Sequence, residues 1–208
     1  PDRDIRLIGA GADLTIINGD NTDRVVKFES SNITSESLIQ GFTIQGGNGG
    51  ILTDNGANPT INYNLIANNQ STENGGGVTC NNSSPTLTNN TIYGNTTSGN
   101  GGGVYLSGTS DPTITHTIVW GNIPGSLVVE SESNPTVSYS NIEGGYSGNG
   151  NIDQNPLFCD SENSIFTLAD NSPCILGSGE FIGAYDIGDC GNITITCDDD
   201  TACNTGAE

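Results

Sequence analysis

The sequence repeats a phrase that is almost free of large side chains. The stretch NGGGVTCNNSSPTLTNNTIYGNTTSGNGGGVYL, residues 74–106, carries a glycine triplet, a β-branched residue and a polar stretch, and then begins again. Four Pro-Thr-aliphatic steps stand at intervals of 26, 27 and 23 residues, starting at Pro59, Pro85, Pro112 and Pro135. Seven residues after each proline comes another aliphatic residue: Ile66, Ile92, Val119 and Ile142. A period of this length predicts a solenoid.

The length of the elements decides which kind of solenoid is expected. Each repeat holds three short β-like pieces, such as GVYL, PTLT and NTIYG, and leaves no room for a long helix. This pattern predicts an all-β parallel β-helix with coils of about 22–28 residues. Glycine triplets are expected at tight corners, and asparagines at left-handed corners. Two degenerate earlier copies place Ile39 and Ile44 in the inward columns, with Ile16 in the column of Ile44.

The steps GGGVTC, GGGVYL and NNTIYGN, with the closing NPLFCDSENSIFTLADNSPCILGSGEFIGAYDIGDCG, resemble a known family. They are similar to right-handed parallel β-helix proteins of the pectin-lyase-like superfamily, specifically the bacterial cell-surface type. The resemblance implies a β-helix over residues 1–191 with a terminal capping segment at about 153–191. Residues 192–208 resemble the start of a Cys- and Asp-rich module or linker. We therefore expect a secreted or cell-surface piece of a longer multidomain chain.

Composition excludes some partners. The formal net charge is -20, and the four basic residues all lie within the first 27 positions. Nucleic-acid binding is excluded because phosphate contacts need Lys and Arg. A polyanionic substrate would be repelled unless Ca²⁺ intervened. No stretch approaches the roughly 20 apolar residues of a membrane span.

The six cysteines favour an oxidising location. Cys80 follows an inward valine by two residues, so we expect it to be a buried, unpaired side chain. Cys159 and Cys174 flank the terminal loop, and a disulfide between them would staple the end of the solenoid. Zinc is a weaker alternative, because the one histidine, His116, is distant and no CxxC pair exists.

Catalytic residues are scarce on the coils. Lyases of the resembled superfamily use Arg or Lys with Ca²⁺, and its hydrolases use clustered aspartates with Gly-His-Gly and Arg-x-Lys steps. None of these is present on the coils. His116 and Tyr139 share a column on adjacent coils, roughly 4.8 Å apart, and could serve as acid and base. The alternative is a ladder of corner side chains.

An aromatic column is a better candidate for binding. Tyr93 and Trp120 each follow an inward aliphatic residue, so strand alternation points them outward as an exposed pair. Flat aromatic faces suit sugar rings. Tyr105, between Val104 and Leu106, is a further outward candidate. The alternative is an outward stack that only shields the sheet.

A calcium site is the candidate for a cofactor. Asp198, Asp199 and Asp200 are consecutive, and Asp189 lies shortly before them. Closely spaced oxygen ligands fit Ca²⁺. The competing interpretation is a solvated acidic linker without a cofactor.

The sequence favours a non-catalytic extracellular module that is structural or adhesive, or that contacts polysaccharide or a cell-surface glycan. The alternative is a fragment of a polysaccharide lyase or glycoside hydrolase, against which the missing basic residues and acid clusters count. An ice-binding solenoid is a third alternative. It needs regular Thr-x-Thr pairs, and in the threonine column only Thr86-Leu87-Thr88 and Thr113-Ile114-Thr115 provide them.

Overall fold

The computed structural model describes residues 4–194 as a solenoid of three parallel sheets. Each coil passes through sheet A, sheet B and sheet C in turn. Sheet A contains β1 (Arg6–Ile8), β4 (Leu38–Gln40), β7 (Thr60–Asn62), β11 (Thr86–Thr88), β15 (Thr113–Thr115) and β18 (Thr136–Ser138). Sheet B contains β2 (Ile16–Asn18), β5 (Thr43–Gln45), β8 (Leu65–Ala67), β12 (Thr91–Tyr93), β16 (Ile118–Trp120) and β19 (Asn141–Ile142). Sheet C contains β3 (Val26–Phe28), β6 (Ile51–Asp54), β10 (Val78–Asn81), β14 (Val104–Ser107) and β17 (Leu127–Val129).

Four short strands lie outside these sheets. The parallel pair β9 (Gln70–Ser71) and β13 (Thr96–Thr97) belongs to the loops between sheets B and C. Strands β20 (Phe158–Asp160) and β21 (Ile165–Leu168) form an antiparallel hairpin around a 3₁₀ turn, Ser161–Asn163. No helix of residues 4–194 has the length and apolar character needed to cross a membrane.

The predicted all-β solenoid is confirmed, and so is its repeat length in four of the five coil steps. The equivalent corner residues Phe42, Asn64, Asn90, Thr117 and Ser140 are separated by 22, 26, 27 and 23 positions. The first step is longer, because Ile5 bonds to Ser37 at a separation of 32. The extra residues lie mainly in the loop at 9–15, between sheets A and B, and in the loop at 29–37, between sheets C and A.

The inward columns are the hydrophobic core. Ile66, Ile92, Val119 and Ile142 pair in register on successive strands of sheet B, as predicted, and all are buried. One expected position was wrong: Ile17, not Ile16, continues this column through Ile44. Ile16 points outward and is 58% exposed. Because strand side chains alternate, an error of one residue reverses the face.

Polar ladders occupy the corners. At the corner between sheets A and B, Asn64 donates its backbone and side-chain N–H to Asn90 Oδ1, at 3.0 and 3.2 Å. At the corner between sheets B and C, Asn69 bonds to Asn95 Oδ1, and Asn95 bonds to Asn122 Oδ1. All five amides are buried. Each satisfies a backbone group that the turn takes out of the sheets.

The glycine triplets end the connection from sheet B to sheet C, directly before the sheet C strands, and neighbouring coils touch backbone to backbone there. A Cβ on Gly76 would lie 2.6 Å from the carbonyl oxygen of Gly102, and one on Gly77 would lie 2.6 Å from that of Gly103. Gly75 and Gly101 have φ of 74° and 67°. The repeated triplet is therefore required both by contact and by backbone conformation.

Residues 153–193, called the strap below, lie along the outer face of sheet B. Phe166 packs with Leu65 and Ala67, and Leu168 packs with Ile118. Tyr185 reaches the cluster that contains Ala12 of the first coil. The outer face of this sheet is apolar, unlike a solvated sheet face, and the strap is what buries it.

The disulfide joins Cys159 to Cys190, so the predicted pair Cys159–Cys174 was wrong. Strand β21 pairs with β20 on one side and bridges Ile187 on the other, which brings Cys190 opposite Cys159. Cys174 instead points into the core between strap and sheet B, where Asn141 Nδ2 donates to its Sγ at 3.1 Å. Burial raises the pKa of Cys174 to about 11.

Cys80 is a buried free thiol, as predicted. Burial raises its pKa to about 12, opposed by a hydrogen bond with Thr53. The thiol is therefore protonated at neutral pH and packs as a small apolar side chain.

The core column predicts a large cost for truncating one of its members. Ile92→Ala should lower the free energy of unfolding by about 2–5 kcal/mol, because neighbouring coils hold the cavity open. Ile123→Ala is the control, since Ile123 is 64% exposed and should change stability by less than about 0.5 kcal/mol. Chemical denaturation of the three proteins measures the difference. Equal losses in both variants would contradict the assignment of the column.

The disulfide predicts one cross-linked peptide pair. Proteolysis without reductant should release the Cys159 peptide joined to the Cys190 peptide, with the Cys174 peptide unlinked. Replacing Cys159 and Cys190 by serine should destabilise the protein by about 3–4 kcal/mol, since the bond closes a separation of 31 residues. Mass spectrometry with and without reductant reads out the pairing. A linked Cys159–Cys174 peptide would overturn it.

Candidate functional site

The predicted aromatic pair lies beneath the strap. Tyr93 and Trp120 are register partners on the outer face of sheet B, as alternation required. However, Phe158 and Phe166 stand edge-on to the Tyr93 ring, with centroids at 5.6 and 5.0 Å. Trp120 packs against the strap cluster that contains Leu168. The expectation of an exposed aromatic pair was wrong, because the strap turns this face into a second core.

Tyr105 is on the outer face of sheet C, yet it is only 5% exposed. Its hydroxyl donates to the carboxylate of Glu130. Burial, followed by this hydrogen bond and the charge of Glu130, raises the pKa of Tyr105. The ring therefore has little free face on which a sugar could stack, although its edge lines a cleft.

His116 and Tyr139 occupy successive corners between sheets A and B, with φ of 48° and 49°. Their rings are stacked, with centroids 5.5 Å apart and planes inclined by 10°. Asn149 Nδ2 donates to the Tyr139 hydroxyl at 2.7 Å. Because the two rings are nearly parallel and stacked on each other, a sugar cannot fit between them. His116 also lines a 240 Å³ pocket with Glu180 and Phe181 of the strap.

The predicted calcium ligands fall mostly outside the described residues. Asp198, Asp199 and Asp200 lie beyond residue 194, and only Asp189 of the four is described. Within residues 4–194, no group of three or more His, Cys, Asp or Glu side chains is arranged to hold a metal ion. The Ca²⁺ site stays a prediction.

A cleft of about 690 Å³ lies on the outer face of sheet C. Its floor is formed by outward residues of three neighbouring strands: Leu52, Asp54, Thr79, Asn81, Tyr105 and Ser107. Its wall comes from the loops that connect sheets B and C, including Asp23, Arg24, Asn48, Glu73 and Asn74. The volume is within the roughly 300–1,000 Å³ typical of ligand pockets.

A polar row runs along the floor of the cleft. Asp54, Asn81 and Ser107 are register partners on three successive coils. Asn81 Nδ2 donates to Asp54 Oδ1 at 3.0 Å, and Ser107 Oγ donates to Asn81 Oδ1 at 3.3 Å. Parallel strands repeat every 4.7–4.9 Å, so this row offers one hydrogen-bonding group per step to a molecule lying along the coil axis.

Arg24 fixes the wall of the cleft. Its guanidinium donates to the backbone carbonyl of Asn74 at 2.7 Å and to that of Gly75. Burial lowers the pKa of Arg24, while the charges of Glu73 and Asp23 oppose this effect. Thr79 Oγ1 donates to Asn74 O from the floor, at 3.1 Å. Loop residues 73–75 are therefore held from both sides.

Lys27 and Asp23 form an ion pair at the cleft, with Nζ and Oδ2 2.5 Å apart. The hydrogen bond to Lys27 is the main cause that lowers the pKa of Asp23, and the same bond raises that of Lys27. Both side chains are partly exposed, at 34% for Lys27 and 63% for Asp23. The pair is accessible to a ligand.

Sequence reasoning missed most of this cleft. The sequence analysis predicts no role for the N-terminal basic residues, for Asp54 or for Asn81 in binding. Strand alternation is the signal that could have found the floor. In GVTCN, Val78 and Cys80 point inward, so Thr79 and Asn81 must point to the outer face, and the same holds for their partners on the neighbouring strands. No sequence pattern indicates the role of Arg24, because its side chain binds a loop that lies 50 residues further along the chain.

The family comparison agrees with this architecture. The model of the right-handed β-helix region matches residues 14–196. The chain belongs to this family. Comparison with curated proteins and with solved structures finds no match for the chain. The family supplies the handedness of the coil and leaves the activity open, because one fold serves many functions.

The hold of Arg24 on its loop can be measured. Arg24→Met should lower the free energy of unfolding by about 1–3 kcal/mol, because two carbonyls lose a charged donor. Hydrogen exchange at Gly75 and Gly76 should become faster. Arg6→Met, at an exposed position, is the charge-matched control and should leave both measurements unchanged. Unchanged exchange in the Arg24 variant would show that the wall is held by other contacts.

Proposed function

We propose that this chain is a non-catalytic module of a secreted or cell-surface protein, acting in adhesion by contacting a glycan in the sheet C cleft. The observation that carries the proposal is the polar row of Asp54, Asn81 and Ser107 at the bottom of the cleft. A glycan is a repeating chain of hydroxyl-bearing rings. Amide, hydroxyl and carboxylate groups that repeat with each coil suit such a polymer, because successive rings meet similar groups.

The walls support the same proposal. Preorganised sites bind better because little has to be ordered on binding. Arg24 and Thr79 already hold loop residues 73–75 in place. Leu52 adds apolar surface to the lining, against which the carbon face of a sugar ring can pack.

A fragment of a lyase or hydrolase is the alternative, and one observation favours it. His116 and Glu180 line one pocket, and His116 stacks on Tyr139, so a titratable pair stands beside a cavity. The pocket holds only 240 Å³. We place this alternative second, because the larger polar cleft is on a different face, away from these groups.

The cleft is tested by Asn81→Ala. Removing the amide should weaken binding to a recognised oligosaccharide about three- to tenfold, as expected for one or two neutral hydrogen bonds. Asn100→Ala, an exposed asparagine outside the cleft, is the matched control and should bind as the unaltered protein does. Titration calorimetry against glycan-array hits gives the affinities. If Asn100→Ala loses binding and Asn81→Ala does not, the glycan site lies outside the sheet C cleft.

The same oligosaccharides test for catalysis. Neither reducing ends nor unsaturated products should accumulate with the unaltered protein or with His116→Ala. Depolymerisation that His116→Ala abolishes would replace the binding proposal with the enzymatic alternative.

A further inference from the structure

We infer that the sheet C cleft selects uncharged glycan chains against polyuronates, and that Asp23 is the residue that determines this specificity. The inference rests on the proposed glycan contact and adds to it the class of sugar. It follows from the contacts that the two cationic side chains of the cleft, Lys27 and Arg24, already make within the protein.

Lys27 is the only ammonium in the cleft lining, and its partner is supplied by the protein itself. Its Nζ lies 2.5 Å from Asp23 Oδ2. The other oxygen of Asp23 accepts the backbone N–H of Arg24 at 2.8 Å, which orients the carboxylate toward the lysine. A uronate approaching Lys27 has to displace this carboxylate and then lie beside it, and two like charges at that distance repel.

Arg24 is directed into the wall rather than toward the ligand. Its terminal nitrogens donate to the carbonyls of Asn74 and Gly75, and the side chain is half-buried. Recognition of a carboxylate by arginine requires the two-pronged face of the guanidinium to be free. Turning that face toward a uronate would take the charged donor away from both backbone carbonyls and leave them only Thr79 Oγ1.

The remaining charged groups of the lining are carboxylates. Asp54 lies in the floor and Glu73 in the wall. Carboxylates accept hydrogen bonds from sugar hydroxyls, so they suit an uncharged glycan, whereas they repel a chain that carries one negative charge per ring. The net charge of -20 acts in the same direction at longer range.

The experiment compares uncharged and acidic hexasaccharides by titration calorimetry with a chelator present. The uncharged panel contains β-glucan, xylan and mannan oligomers, and the acidic panel contains galacturonate and alginate oligomers. We expect binding to at least one uncharged oligomer, with little dependence on salt, and no detectable binding to the acidic oligomers.

Variants isolate Asp23. Asp23→Asn keeps an oxygen for the Arg24 amide but removes the charge that neutralises Lys27, so acidic oligomers should gain affinity by about tenfold or more. The double variant Asp23→Asn/Lys27→Met should lose that gain, because the released ammonium is gone. Asp170→Asn makes the same charge change at an exposed position of the strap and should gain nothing.

The outcomes separate the inference from the function on which it rests. Gain in Asp23→Asn alone, lost again in the double variant, supports the inference. Binding of acidic oligomers by the unaltered protein, or an equal gain in Asp170→Asn, overturns it while glycan contact stands. Binding of an uncharged oligomer without any gain in Asp23→Asn removes the role of Asp23. Binding of none of these oligomers overturns the proposed function itself.

Discussion

The corners of each coil decide whether strands this short can stack at all. A chain that turns after two to four residues of β-structure takes backbone N–H and C=O groups out of the sheets and buries several of them. The amides of Asn90 and Asn95 replace the missing partners, each accepting from a backbone N–H and donating to a backbone carbonyl of the preceding coil. Because the ladders run along the coil axis, each corner stabilises its neighbours and keeps the coils in register.

The conformational cost of these corners explains their composition. The residue before each ladder amide, or before the hydroxyls of Thr117 and Ser140 that continue the ladder, has positive φ, which L side chains adopt at a cost. Glycine or asparagine occupies several such positions, including Gly94 and Asn89, but His116 and Tyr139 occupy others. The latter two stack on one another at the surface. A side chain that looks catalytic in the sequence can therefore be accounted for by its place in the corner.

The fold was predictable from the sequence because its core is local in pattern. Spacing alone shows that Ile92 and Val119 occupy equivalent positions, and the glycine- and asparagine-rich stretches between them predict turns. The same logic failed at Ile16, since the first coil has no Pro-Thr step and is longer than the others. Without that landmark the register could move by one residue.

The candidate site was less predictable, because its contacts join distant parts of the chain. Alternation correctly placed Tyr93 outward, but it does not reveal that Ser161 lies over its hydroxyl, 68 residues further along. Cysteine pairing failed for a similar reason: Cys174 is nearer to Cys159 in sequence, whereas the β20–β21 hairpin brings Cys190 beside it. Periodicity identifies the face of a sheet on which a side chain lies. It does not identify which other parts of the chain pack against that face.

In the coils after the first, the loops between sheets B and C differ in length, whereas the A–B corner always has two residues. These loops span 46–50, 68–77, 94–103 and 121–126, so the two longest belong to the central coils. The molecule thus separates an invariant scaffold from variable loops, as antibody domains do. Insertions or substitutions in these loops could diversify what the surface recognises while the ladders and the strand register stay unchanged.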